Sequence, residues 1–407
     1  MKRTILTQAI IILAFLTTTI GLHGQVTIGS NTPPRAGALL DLTEGATTTH
    51  GLNMPRVELT NLKPTTPAEL SASIGGSGNW VLNDHTALAV YNTKADHCAV
   101  DPIYEGLYVF DGTEWQLIGQ PGISAAVYEV IDPRDNQVYL ARNFGSTAGD
   151  WMLENLRYEP KAADGYTGYR HDAGMISSPY TDKYWAYPWK GPTGTGGTYY
   201  PTQAQADWDP QMGILYNWYA ATNGENSETV DQGQIAGTVP GANEVEVKKE
   251  TSPGAKDGKI RGICPPNWHV PTDREWNELE KELTEHASSY SATANSTWSS
   301  TWETTAGGRG PTLGEAMKSE CELPGHNYGS PNGKSFSTAR GGFNVVLTGY
   351  AGTAKALDYG YIGYFWSASA YSSYNAWVRS VRRSLAFAGR GQTGCGSLFS
   401  VRCKKND

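Results

Sequence analysis

The stretch Trp268-His-Val-Pro-Thr-Asp-Arg-Glu-Trp276 carries the most decisive local pattern in the chain. Thr272 and Glu275 form a capping box: the hydroxyl accepts an amide of the first helical turn, and the carboxylate reaches back to the amide of the cap. Trp276, Leu279 and Leu283 then recur at helical spacing and define one apolar face. Asp273 and Glu275 also complement the positive end of the helix, so both acids read as structural. His269 could in principle serve as a general base near neutral pH. It has no neighbouring nucleophile in sequence and reads instead as a satisfied core histidine. A shorter helix is expected from Thr312, with Glu315 in the same capping relation.

Around this helix the pattern turns to strands. Phe343, Val345 and Leu347 alternate, as do Trp377, Arg379 and Val381, and a last run, Leu398-Phe-Ser-Val-Arg-Cys403, ends near the terminus. Upstream, Val127-Tyr-Glu-Val-Ile-Asp132 alternates, and Asp135-Asn136 supplies a turn before Val138-Tyr-Leu140. Residues 158–262 are rich in Gly, Tyr, Pro and Thr with weak periodicity, which predicts long ordered loops. The expected class is α+β. Residues 25–119 form a separate strand-rich module of short β-type runs between Gly, Pro and Asn breakers. Residues 120–126, beginning within Gly119-Gln-Pro-Gly122, are the predicted linker, and 127–407 the second domain.

Lys2 and Arg3 precede an apolar run from Ala9 to Ile20, and Gly24 precedes Gln25. Residues 1–24 read as a secretory signal peptide. The run is shorter than the ~20 apolar residues of a membrane span, and no later stretch is apolar and long enough to cross one. The expected location is outside the cytoplasm: cell surface, extracellular or periplasmic. Removing Lys2 and Arg3 with the leader takes the formal charge of the 407-residue chain from −8 to −10. An acidic surface repels phosphate, which argues against nucleic acid as a partner. The 13 Trp and 23 Tyr outnumber the 8 Phe; rings with a polar handle suit half-wet surfaces and polar-rimmed cores.

Several phrases together carry a family resemblance: Trp151-Met-Leu-Glu-Asn-Leu-Arg157, Gly213-Ile-Leu-Tyr-Asn-Trp-Tyr-Ala220, Cys264-Pro-Pro-Asn-Trp-His-Val-Pro-Thr-Asp-Arg-Glu-Trp276, Tyr364-Phe-Trp-Ser367 and Ser400-Val-Arg-Cys403. Over roughly 127–407 the chain resembles the Fibrobacter succinogenes major paralogous domain, a family of exported bacterial proteins. The Pro-Thr-Asp-Arg-Glu-Trp phrase is also similar to the formylglycine-generating-enzyme group, a variant of the C-type lectin architecture. The resemblance implies a C-type-lectin-like C-terminal domain with long loops and adjacent first and last strands. The N-terminal module resembles the leading segment of many exported Bacteroidetes proteins and of fibre or stalk heads. That likeness implies surface display and a homo-oligomer formed through the module.

Export permits disulfides, and five cysteines leave at least one thiol unpaired within the chain. The lectin-like reading implies a Cys264–Cys403 bond, which in the chain-entropy picture stabilises by about 4–5 kcal/mol. Cys321–Cys395 is the second choice, and the role of Cys98 is open. Among the loop aromatics, Tyr169, Tyr184, Trp185, Tyr187, Trp189, Tyr199 and Tyr200 are the candidates for stacking on a ligand; their alternative role is to pin long loops onto the sheet. Arg379, Arg382, Arg383, Arg390 and Arg402 read as a solvated strand face, with anion recognition as the minor reading. Gly389-Arg-Gly-Gln-Thr-Gly394 matches a dinucleotide fingerprint but leads into no helix, so a hairpin turn is expected.

These readings converge on an exported, non-catalytic, adhesin-like surface protein that binds a glycan or an envelope or fimbrial protein. The alternatives are a structural or tip subunit of a surface appendage, and a copper-dependent oxidase of the formylglycine-generating type using Cys395 and Cys403. No cofactor is expected; a structural calcium is compatible with lectin-like loops.

Overall fold

The structure, a computed structural model, describes residues 26–28, 38, 40–42, 50–98, 101–118, 126–170, 182–191, 196–197, 204–206, 208–225, 232–234, 259–326, 328, 331–352 and 355–406. The predicted leader 1–24, and the predicted linker 120–126 except Ala126, lie outside the described residues.

The N-terminal module contains β1 (Arg56–Val57), α1 (Pro67–Ser73), β2 (Ala89–Asn92), β3 (Gly106–Phe110) and β4 (Trp115–Ile118). The strands form one sheet in the order β1-β2-β3-β4, parallel between β1 and β2 and antiparallel elsewhere. Thr66 and Glu69 close a capping box on α1, with Pro67 in its first turn, where a missing N–H costs nothing. Leu70 then packs with Val90, Ile103, Tyr108, Phe110 and Trp115 in a core belonging to this module alone.

The second domain opens with β5 (Val127–Ile131), β6 (Val138–Asn143) and β7 (Asp150–Met152), an antiparallel meander. Asn136, with φ 61°, makes the first turn where the Asp-Asn pair predicts one. Next come β8 (Lys183–Ala186), β9 (Leu215–Tyr216), β10 (Trp268–His269), α2 (Asp273–Glu285), β11 (Gly307–Arg309) and α3 (Leu313–Met317). The chain closes with β12 (Ile362–Ala370), β13 (Asn375–Arg382), β14 (Ala388–Gly394) and β15 (Lys404–Lys405). Two larger sheets result, ordered β10-β15-β7-β6-β5 and β11-β14-β13-β12. The last strand joins the first sheet, but its Lys404 pairs with Trp151 on β7 rather than with β5. The expected adjacency of first and last strands is therefore corrected: the meander puts its third strand inward and its first at the edge.

Helix α2 is capped as the spacing predicts, with both halves of the Thr272–Glu275 box formed. Its buried Trp276, Leu279 and Leu283 share one core with Val127 and Trp151 of the first sheet and with Phe365, Val381 and Ala388 of the second. The Trp151 and Trp276 rings lie 4.9 Å apart, and Trp276 and Phe365 5.6 Å. Helix α3 begins beside Thr312, but no side-chain cap forms there. Glu315 is drawn to Lys334 instead, at 2.6 Å. Phe343, Val345 and Leu347 are buried as their alternation suggests, and of the three Val345 makes a single bridge, to Lys318. The run 398–401 behaves likewise, with isolated bridges to Ala351, Tyr216 and Phe365. These segments thread between layers, held by side-chain burial and isolated backbone hydrogen bonds rather than by a continuous ladder.

Two disulfides are present. Cys264 and Cys403 join the approach to α2 to the chain end, closing 139 residues, which is the pairing the lectin-like resemblance implies. The second choice, Cys321–Cys395, is overturned. Cys321 bonds Cys98 across 223 residues and ties the N-terminal module to the second domain. His97 and Glu320 flank that link as an ion pair at 2.7 Å. Cys395 is buried and belongs to neither bond. Sequence spacing could not reveal the Cys98 link, because the module's docking position is a tertiary property.

Candidate functional site

The β11-β14-β13-β12 sheet has two chemically opposite faces, because alternate residues of a strand point to opposite sides. Toward α2 it presents Arg309, Arg390 and Arg379. Asp273 Oδ1 accepts from Arg379 Nη1 at 2.8 Å and Arg390 Nε at 2.9 Å; its Oδ2 accepts from Arg390 Nη2 at 2.6 Å and the Gln234 amide at 2.9 Å. Burial opposes the Asp273 charge, but the Arg379 and Arg390 charges and their hydrogen bonds outweigh it and hold the carboxyl well below its usual range. Glu280 pairs with Arg379 at 3.0 Å and with Arg309 at 2.8 Å. Arg390 also lies 3.6 Å over the Trp377 ring. These groups are buried, and they bolt the helix to the sheet.

Arg402 is buried as well; its guanidinium donates to Asn155 Oδ1 and to the carbonyls of Phe343 and Asn344. The expectation of a solvated arginine face is corrected for Arg379, Arg390 and Arg402, which are interior. Arg382 is exposed and Arg383 half-buried. The acids of the α2 cap have the structural role expected of them. His269 is likewise satisfied: Nδ1 lies 2.7 Å from Asn406 Oδ1, and Nε2 lies 3.0 Å from Glu275.

The opposite face is open. The Gly389–Gly394 phrase is strand β14, not a hairpin turn, and its alternation sends Arg390 inward while Gly389, Gly391 and Thr393 face out. Gly308, Gly389, Ser380 and Tyr364 pair in one row across four strands, a span of about 14 Å at the usual strand spacing. The Phe387 ring lies directly on Gly308, where an added Cβ would stand 2.8 Å from its Cδ2. A Cβ on Gly391 would meet nothing within 4 Å.

The result is a groove of about 500 Å³ with a glycine floor. Tyr350 and Tyr364 wall one side, Leu385 and Phe387 the other, and Ser380, Thr393 and Ser397 contribute hydroxyls. Tyr364 stacks on Phe399 at 4.6 Å, and Tyr350 meets Tyr364 edge-on at 5.5 Å, so the aromatic wall is braced from behind. Burial and then the Asp358 charge raise the Tyr350 phenol, which keeps it a hydrogen-bond donor. Among the described residues, Arg382 is the exposed charge lining this groove, and no Asp or Glu lines it.

The aromatic residues singled out from the sequence lie elsewhere. Tyr184, Trp185 and Tyr187 are buried, and Tyr169 and Trp189 are half-buried against core clusters. Their polar ends are used internally: the Tyr169 hydroxyl donates to the Ala220 carbonyl, and those of Tyr184 and Tyr187 to Asp182 and Glu159. These five rings pack against the core rather than offering open faces. Tyr199 and Tyr200 lie outside the described residues. The groove residues went unrecognised in sequence, although glycines at alternate positions of a strand (Gly389 and Gly391) are the pattern that leaves one face bare.

Among the described residues no group of three or more His, Cys, Asp or Glu is placed to hold a metal ion, and no helix is long and apolar enough to cross a membrane. Cys403 is bonded to Cys264, so Cys395 and Cys403 do not form the paired thiols that the oxidase reading requires.

Comparison with known proteins gives two family matches. Residues 27–126 match the phage tail like trimerisation region, and residues 147–405 match the Fibrobacter succinogenes major domain. No curated protein and no solved structure matches the chain. The second match covers more than half of the sequence and includes the whole helix–sheet assembly around Asp273, and the chain belongs to the Fibrobacter succinogenes major domain family.

Proposed function

We propose that this is an exported, non-catalytic surface protein whose N-terminal module assembles as a homotrimer and whose lectin-like C-terminal domain binds glycan in the sheet groove. The observation that carries the reading is the glycine-floored groove, walled by Tyr350, Tyr364 and Phe387 and edged with hydroxyls. A bare floor admits a flat ring closely, aromatic faces stack on sugar C–H surfaces, and Ser, Thr and Tyr hydroxyls exchange hydrogen bonds with ring hydroxyls. A lining without carboxylates suits neutral or acidic saccharides. The match to a trimerisation region supports the oligomer. Three weak grooves on one stalk would gain avidity through effective concentration. The paired cysteines agree with an oxidising destination.

A glycan array tests the reading, with the chain and its Gly391→Val variant applied in parallel. Binding by the wild type that the variant loses is the expected result; a silent wild type overturns it. Light scattering should give three times the chain mass. The trimerisation match also favours a second reading, a structural subunit of a surface appendage that contacts only neighbouring proteins. Cross-linking in the native envelope, combined with a silent array, would select it.

A further inference from the structure

We infer that Lys318 is a positioning residue for the groove, a buried ammonium that pins the hairpin loop forming one wall. This rests on the groove being the binding site. Lys318 is fully buried at the end of α3, and its Nζ donates to three backbone carbonyls, those of Arg382 at 2.8 Å, Arg383 at 3.0 Å and Leu385 at 2.7 Å. Arg382 and Leu385 line the groove, and Phe387 follows two residues later. The same loop is held again where the Glu315 amide donates to the Ala386 carbonyl at 3.0 Å. Gly314 allows this approach, since a Cβ there would stand 2.3 Å from the Phe387 carbonyl oxygen. The wall therefore takes its place from α3, an element on the other side of the sheet edge from the groove.

An ammonium has three N–H donors, which match three carbonyls; the neutral amine has two and turns a lone pair toward the third. Burial lowers the Lys318 pKa to about 8, against the pull of Glu315 on its own helix and with help from Arg383 on the loop and Lys334 on the following segment. Lys318 follows Met317, whose core receives apolar Leu283 from α2 and Ala388 from β14. Lifting the loop lets water reach Nζ and restores its ordinary value, so an opened wall takes up a proton above this pH and opening becomes less favourable as pH rises. Because the folded-state pKa is depressed, the unfolded chain binds more protons between about 8 and the ordinary lysine value, so this group makes global stability rise with pH across that window. Local opening of the wall and overall unfolding thus share one pH sign, and a change confined to the loop is what marks the pin.

Amide hydrogen exchange on the full chain, expressed as protection relative to the free peptide, reads this opening at residues 384–388. From pH 7 to pH 9.5 protection there should rise about tenfold or more, while β12 and β13 stay unchanged. Lys318→Met should show the loosened loop at both pH values, and Lys318→Arg, which stays charged, should show no pH-dependent change. Flat wild-type protection across this range overturns the pin, and that measurement needs no variant to fold. If Lys318→Met keeps the array signal of the wild type, the positioning role fails while glycan binding stands. A wild type silent at every pH removes the glycan reading and with it the positioning role, leaving the exchange data to decide the pin alone.

Discussion

Asp273 and Arg390, 117 residues apart, share two hydrogen bonds that close the first turn of α2 onto strand β14, at 2.9 Å from Nε and 2.6 Å from Nη2. Arg379 adds a third bond to the same carboxylate. Replacing Asp273 by Asn leaves two buried guanidinium groups facing a neutral amide. The expected loss is about 3–5 kcal/mol, the range for breaking a buried pair from one side, read as a fall in the urea midpoint.

Acid should unfold the protein through the same region. Asp273 and Glu275 are both held well below their ordinary values, Asp273 by Arg379 and Arg390, Glu275 by His269 and Lys404, in each case against burial. A depressed carboxylate contributes stability that is fully present above its unfolded value, near pH 4, and lost as pH falls toward the folded one. Stability followed by circular dichroism should decline steadily below pH 4, and Asp273→Asn should flatten that slope.

Alkali acts through the tyrosines. Burial, first among the causes, raises Tyr139, Tyr169 and Tyr216 above their ordinary value. Phenols with raised folded-state values stabilise below the unfolded value near pH 10 and lose that contribution as pH rises beyond it. Tyrosinate absorbance should therefore appear in one step together with the loss of tertiary structure.

The Cys98–Cys321 bond is the covalent strut between the two units. Its 223-residue separation corresponds to about 5 kcal/mol in the chain-entropy picture. Cys98→Ser should separate guanidinium unfolding into two transitions, because each unit has its own core. Peptide mapping under non-reducing conditions should still recover Cys264 joined to Cys403.

Glycines of the groove floor should respond differently to the same change. Gly391→Val fills empty space on a strand and removes backbone freedom, so stability should hold or rise by up to about 1 kcal/mol. Gly308→Val must displace the Phe387 ring, and its melting temperature should fall.

The amino-acid sequence by itself determined what rests on neighbours along the chain: the α2 cap, its apolar stripe, the turn at Asn136, the α+β class and the family. Capping boxes and strand alternation are local physics, written within a few residues of where they act. Tertiary structure alone decided the rest. The same alternation in β14 yields a buried arginine and an open glycine floor, and which side becomes groove depends on α2 covering the other. The loop aromatics could face water or core with equal local logic until 182–191 was laid against the sheets. Cys98 acquired its partner only when the N-terminal module docked, since a pairing across 223 residues depends on through-space distance, which no spacing in the chain encodes.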